Sequence, residues 1–183
     1  MKGTLKLPSF SSLQIELVEE QLDTLLDESN QRLKALEQTE QPDCDNFVHQ
    51  LDLINDQVER FWSPVRHLNS VMNSDEIREV YNTCKSKLSA WQTEQGQNRA
   101  LYENMHRIAE SEAMNEMTVG QQKAVQDSLR GFQLGGVALD GAQKDRFKEV
   151  ALQLSKLSSQ FQDNVLDATK AWDKLIELSL IHI

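Results

Sequence analysis

The sequence predicts an all-α protein of about six helices in an antiparallel array, and three features carry that expectation. Apolar residues recur at three- and four-residue steps along most of the 183 residues. No run alternates apolar and polar positions with β-branched residues, and no Asn-Gly or Asp-Gly joins two such runs. Gly and Pro fall between the periodic stretches, where helices stop or start.

Leu13, Leu17, Val18, Leu22, Leu25, Leu26, Leu33 and Leu36 mark a first helix from about Ser12 to Gln38. Gln41-Pro42-Asp43 ends it, and Asp43 or Asp45 is placed to cap the second by accepting orphan backbone N–H groups. Phe47, Leu51, Ile54, Val58 and Phe61 then share one side. Pro64 lacks an N–H and crowds the carbonyl of Arg60, so the helix either kinks there or restarts with Ser63 as cap. Ser74 opens a third helix with Ile77, Val80, Tyr81, Cys84, Leu88 and Trp91 behind it, and Asn98 a fourth bearing Leu101, Met105 and Ile108. Thr118 and Gln121 have capping-box spacing for a fifth, which runs to Gly135-Gly136.

The sixth helix is expected to open with a capping box of Asp140 and Gln143 and to run to Leu178. Phe147, Leu154, Phe161, Ala168 and Leu175 recur every seven residues, with Val150, Leu157 and Ala171 between them. Such a helix is roughly 55 to 58 Å long, against a globule diameter of roughly 40 Å. It therefore overhangs the body, and either forms a coiled coil or packs on something outside the chain. Residues 178–183 leave the heptad pattern, and their codons can be written as a sequencing-library transposon adapter. They are expected to be a non-native tail. The domain plan is a lead-in over 1–11, an incomplete helical domain over 12–177 and that tail.

Composition narrows the function. Apolar residues are 39% and charged residues 26%, values of a soluble globular chain. No apolar run approaches the roughly 20 residues of a membrane span, and the first residues hold no apolar stretch long enough for a secretory signal. Cys44 and Cys84 form no disulfide framework, so the expected compartment is the cytoplasm. Net charge is −10, and residues 16–40 alone carry eight carboxylates against two cations. That face repels phosphate, and no basic cluster offsets it, so neither nucleic acid nor an anionic membrane is an expected partner.

Candidate chemistry is sparse. His106 and Glu110 stand one helical turn apart without a third ligand, so an exposed helical pair is favoured over a metal site. Cys44 and His49 would need Cys84 brought to them by folding. No Gly-x-Ser-x-Gly elbow supports a triad, and Gly131, Gly135 and Gly136 follow no strand that could make a phosphate cradle. Trp91 and Trp172 read as core or interdomain anchors.

Three stretches, in order, resemble the oligopeptidase A and thimet oligopeptidase family of zinc metallopeptidases. Phe61-Trp62-Ser63-Pro64-Val65-Arg66-His67-Leu68-Asn69-Ser70-Val71 is followed by Met72-Asn73-Ser74. Leu129-Arg130-Gly131-Phe132-Gln133-Leu134-Gly135-Gly136 is the second. The third runs Leu157-Ser158-Ser159-Gln160-Phe161-Gln162-Asp163-Asn164-Val165-Leu166-Asp167-Ala168-Thr169. Leu7-Pro8-Ser9-Phe10 resembles the family's lead-in, and the similarity spans residues 5 to 176.

The resemblance implies a peptidase that cleaves short peptides in a channel between two mostly helical halves. Its zinc would be held by a His-Glu-x-x-His helix and a further glutamate, downstream of this segment. His49, His67, His106 and His182 do not begin that motif, so no catalytic or metal-binding residue carries over. The implied signature set is Trp62, Pro64, His67, Asn69, Asn73, Arg130, Phe132, Phe161, Asn164, Asp167 and Thr169, with a structural role favoured over substrate contact. The partners implied are a C-terminal catalytic region of the same protein and, for the whole enzyme, oligopeptides. The alternative is a free-standing helical interaction module that uses the sixth helix as a coiled-coil arm.

Overall fold

The computed structural model describes Phe10 and residues 13–175. Among them are six α-helices and no strand: α1 Val18–Glu37, α2 His49–Val71, α3 Asp75–Gly96, α4 Arg99–Ala109, α5 Val119–Leu134 and α6 Gly141–Lys170. The expected 178–183 tail lies outside the described residues.

Helix α1 lies against α2, α3 and α4, and buries Val18, Leu22, Leu26, Leu33 and Leu36 among them. This is the stripe its leucine spacing demands. Its start is a short 3-10 turn, Ile15–Leu17, rather than the α-helix expected from Ser12. The C-terminal carbonyls of α1, which have no partner within the helix, are met by α4. Asn104 Nδ2 donates to the Leu36 carbonyl at 2.9 Å, and Arg107 to the carbonyls of Glu40 and Thr39 at 2.9 and 3.2 Å.

The caps at Asp43, Ser74, Asn98 and Thr118 form as expected, with capping boxes at Asp43–Asn46 and Thr118–Gln121. Two short turns were not expected, a π turn over Cys44–Val48 and a 3-10 turn over Glu112–Glu116. At Pro64 the helix does not restart: α2 runs unbroken through it, and only the Arg60 hydrogen bond is lost. The neighbours α1 and α3 hold α2 on both sides, which outweighs one missing bond. The Asp140–Gln143 box is not made, since Asp140 accepts no capping hydrogen bond.

Two glycines close the body. A Cβ on Gly135 would stand 2.9 Å from the Gly96 carbonyl oxygen and 3.0 Å from its Cα, because the ends of α3 and α5 cross there backbone to backbone. Gly136 follows at φ +87°. Its N–H donates to Gln133 at 3.2 Å, and the next, of Val137, to Phe132 at 3.1 Å. That pair of bonds is a Schellman stop, which needs the left-handed residue glycine tolerates.

Helix α6 packs chiefly on α3. It is about 45 Å long and ends at Lys170, eight residues before Leu178. The sequence there contains no Gly or Pro stop. What runs out is the neighbour: α3 begins at Asp75, and its first turns already meet Asp167. A helical extension with nothing to pack on is marginal in water. The heptad residues of α6 do not enter the core, with Leu154 and Phe161 64% and 69% exposed. Past the helix, Trp172 and Leu175 are 72% and 90% exposed, so Trp91 is a core anchor and Trp172 is not.

Gly135→Ala should cost about 1–3 kcal/mol through forced overpacking. Gly131→Ala, where an added Cβ meets nothing within 4 Å, should instead gain about 0.5–1 kcal/mol. Urea unfolding of the two variants checks both signs.

Candidate functional site

The Trp62–Asn73 segment comprises the C-terminal part of α2 and the two residues after it, and α2 lies against α3. Trp62 is buried and stacks on Tyr81, with ring centroids 5.0 Å apart and planes 16° from parallel. Asn69 is buried in the last turn of α2. Asn73 Nδ2 donates to its carbonyl at 3.2 Å and to its Oδ1 at 3.0 Å, which satisfies a terminal carbonyl. The Asn73 Oδ1 is thereby turned outward as an acceptor.

Arg78, in the first turns of α3, fills that acceptor. Its Nη2 donates to Asn73 Oδ1 at 2.8 Å and to Asp167 Oδ1 at 2.6 Å, while Nη1 donates to Asp167 Oδ2 at 3.0 Å. The Asp163 carboxylate stands 3.6 Å from Nε, and Asn82 donates to its other oxygen at 3.1 Å. Lys170 closes the ring, donating to the Asn73 carbonyl at 3.1 Å. One guanidinium thus joins α2, α3 and α6 with the paired geometry that arginine alone provides. Its hydrogen bond holds the Asp167 carboxyl below the ordinary aspartate range.

Beside this clamp a trough runs between α2 and α6, floored by Tyr81 of α3. Its α2 wall carries Arg66 and Ser70, and its α6 wall Ser155, Phe161 and Val165. Lys85 lies in the floor with its ammonium 5.6 Å above the Tyr81 ring. Burial holds that ammonium below the usual lysine range. Among the described residues no carboxylate stands within ion-pair distance of it, whereas Arg66 reaches Glu59 at 2.8 Å.

Of the signature residues, Trp62, Asn69, Asn73 and Asp167 meet around the clamp and its floor, and Phe161 lies at the trough. Pro64 is half-buried within α2. His67 faces the other way, with Phe10 5.3 Å from its ring. Phe132 is buried at the end of α5 beside Tyr102. Arg130, Asn164 and Thr169 are exposed, the last bonded only to the Val165 carbonyl. Arg78, Asn82, Asp163, Lys85 and Lys170 are not among the site residues expected from the sequence. A signal was present for one part, since Asp163 and Asp167 are one turn apart on a helix whose apolar stripe lies elsewhere.

The two metal candidates resolve into local contacts. His106 Nδ1 sits 3.2 Å from Glu110 on an exposed face, with its ring against Tyr102. Cys44 accepts from Gln121 Nε2 at 3.3 Å, and Cys84 is buried on α3 beside α1. No group of three or more His, Cys, Asp or Glu placed to hold a metal occurs among the described residues. Burial, then Glu19, pushes the Cys84 thiol up to about 11.

The described residues form an all-helical domain with one long, half-uncovered final helix. Residues 22–144 match the family described as the neurolysin/thimet oligopeptidase N-terminal domain. The chain belongs to that family. It is 39% identical over 171 residues to oligopeptidase A of Haemophilus influenzae, covering 93% of this chain and 25% of that protein. To oligopeptidase A of Escherichia coli it is 34% identical over 172 residues, again 93% and 25%. A protein of Arabidopsis thaliana described as a cytosolic oligopeptidase A is 30% identical over 169 residues, 92% of this chain and 24% of that one. The chain therefore spans about a quarter of the length of these relatives and corresponds to their N-terminal domain.

Trp62→Ala should destabilise by about 3–5 kcal/mol, the loss typical of a buried aromatic, as measured by urea unfolding. Arg78→Ala should speed amide exchange over residues 160–170 and leave α4 unchanged, with Arg78→Lys an incomplete rescue. Because the folded-state pKa of Asp167 is depressed, the clamp contributes fully above about pH 4. That contribution is lost as pH falls through the lower folded value. A carboxyl-carbon NMR titration should show Asp167 titrating below ordinary aspartates. At pH 8 a thiol reagent should leave Cys84 unmodified until the chain unfolds.

Proposed function

We propose that this domain forms one helical wall of a cytoplasmic zinc oligopeptidase and is inert on its own. Membership of the peptidase family supports the reaction class, and the observation that carries the reading is the bare apolar side of α6. Val150, Leu154, Leu157, Phe161 and Val165 follow one another at three- and four-residue steps and are all exposed. A contiguous apolar strip of this kind marks a surface that packs on something else.

The described residues do not fit a zinc centre. Catalytic zinc takes three protein ligands and keeps an open position, whereas His106 and Glu110 supply two at most. The ligands belong, on this reading, to the region that the relatives carry beyond this domain. Binding and orienting that region is then the task of α6 and the trough. The cytoplasmic assignment is supported by the two cysteines, which are not paired with each other.

A coiled-coil arm is the weaker reading. Phe147 lies against Gly136 of its own domain and Leu175 is beyond the end of α6. Leu154, Phe161 and Ala168 then remain of the heptad series, a span of about two heptads where such a seam needs 3–4.

Purified residues 1–183 should not cleave a quenched oligopeptide with or without added zinc; chelator-sensitive cleavage would sink the proposal. Grafted in place of the matching quarter of Escherichia coli oligopeptidase A, the chain should yield an enzyme that cleaves the same peptide.

A further inference from the structure

We infer that the trough between α2 and α6 seats one amphipathic helix from the remaining region of the peptidase, with apolar residues on α6 and a carboxylate over Lys85. This rests on the reading of the chain as a peptidase wall.

The two sides of the trough differ in kind. The α6 side is apolar through Phe161 and Val165, and Leu154 and Leu157 continue the same strip. The α2 side is polar, with Arg66 ion-paired to Glu59 and Ser70 beyond them, over an aromatic floor. From Ser155 to Val165 the trough follows α6 for about 15 Å, close to three helical turns. A helix whose apolar stripe meets α6 would turn its flank towards Arg66 and Lys85.

Charge selects what that flank carries. Lys85 is a half-buried ammonium without a carboxylate partner among the described residues. Covering the trough with an apolar or basic segment would strip its remaining water and leave the charge uncompensated. A carboxylate instead supplies the missing partner, whereas Arg66 is already engaged by Glu59.

A second copy of this chain fits poorly. A two-fold contact presents the same patch to itself, so two concave troughs would face each other and leave the space between them unfilled. A convex helix fills the space, and the relatives carry about three quarters of their length outside the region matched here.

The test uses the Escherichia coli chimera with Phe161→Glu, Leu154→Glu and Lys85→Gln. Each should lower peptide cleavage by about ten-fold or more, the scale of removing one interface anchor. Each should also restore fast amide exchange over residues 150–166 in the chimera, where the wild-type graft is protected. The same substitutions should move the Tm of isolated residues 1–183 by no more than about 2 °C, as surface changes do. If the wild-type chimera is active and protected but the variants behave like it, the trough proposal falls and the peptidase reading stands. An inactive wild-type chimera overturns both. A dimer of the isolated chain that Phe161→Glu dissociates also overturns the trough proposal, in favour of a second copy.

Discussion

Arg78 is the constraint on which the outer half of the molecule depends. A single guanidinium ties the end of α2, through Asn73, to the last turns of α6, through Asp167. Asn73 can serve because its amide already closes α2 on Asn69, leaving its oxygen free to accept. The order of dependence is therefore helix stop, then acceptor, then clamp, then the course of α6. An exposed ion pair contributes little to stability, but a fork bound to two elements fixes direction, and direction is what α6 needs here.

The clamp resolves an apparent contradiction in α6. Its seam with the body is small and polar: Ser159 is buried there, flanked by Ser155 and Asp163. Its most apolar side faces outward. In a self-sufficient domain hydrophobic burial would rotate the helix by roughly half a turn. Hydrogen bonds from Arg78, Asn82 and Lys170 hold it in the opposite sense. Such a helix is pre-set for a second contact, because the polar side is already satisfied and the apolar one remains free. The body beneath can carry this load since it closes independently, through the leucine stripe of α1 and the Gly96–Gly135 crossing.

Much of this was legible in the residues and much was not. Asp43, Ser74, Asn98 and Thr118 act as caps because capping joins a side chain to an N–H two or three residues on, so the information is local. The period of α1 likewise marks its buried face. Asp140 shows the limit: the right spacing makes no bond, since its rotamer answers to surroundings the spacing does not contain. Pro64 shows another, where packing on two sides carries α2 through a residue that would end an isolated helix. The link from Arg78 to Asp167 could not be read, because the two are 89 residues apart and nothing short-range joins them.

The sequence by itself determined the six helices, the caps at Asp43, Ser74, Asn98 and Thr118 and the family to which they belong, because those follow from neighbours within a few residues and from ordered motifs. The tertiary structure alone decided where α6 ends and which way it faces. Both depend on how far α3 extends beside it and on what Arg78 can reach, and those are distances between residues far apart in the chain.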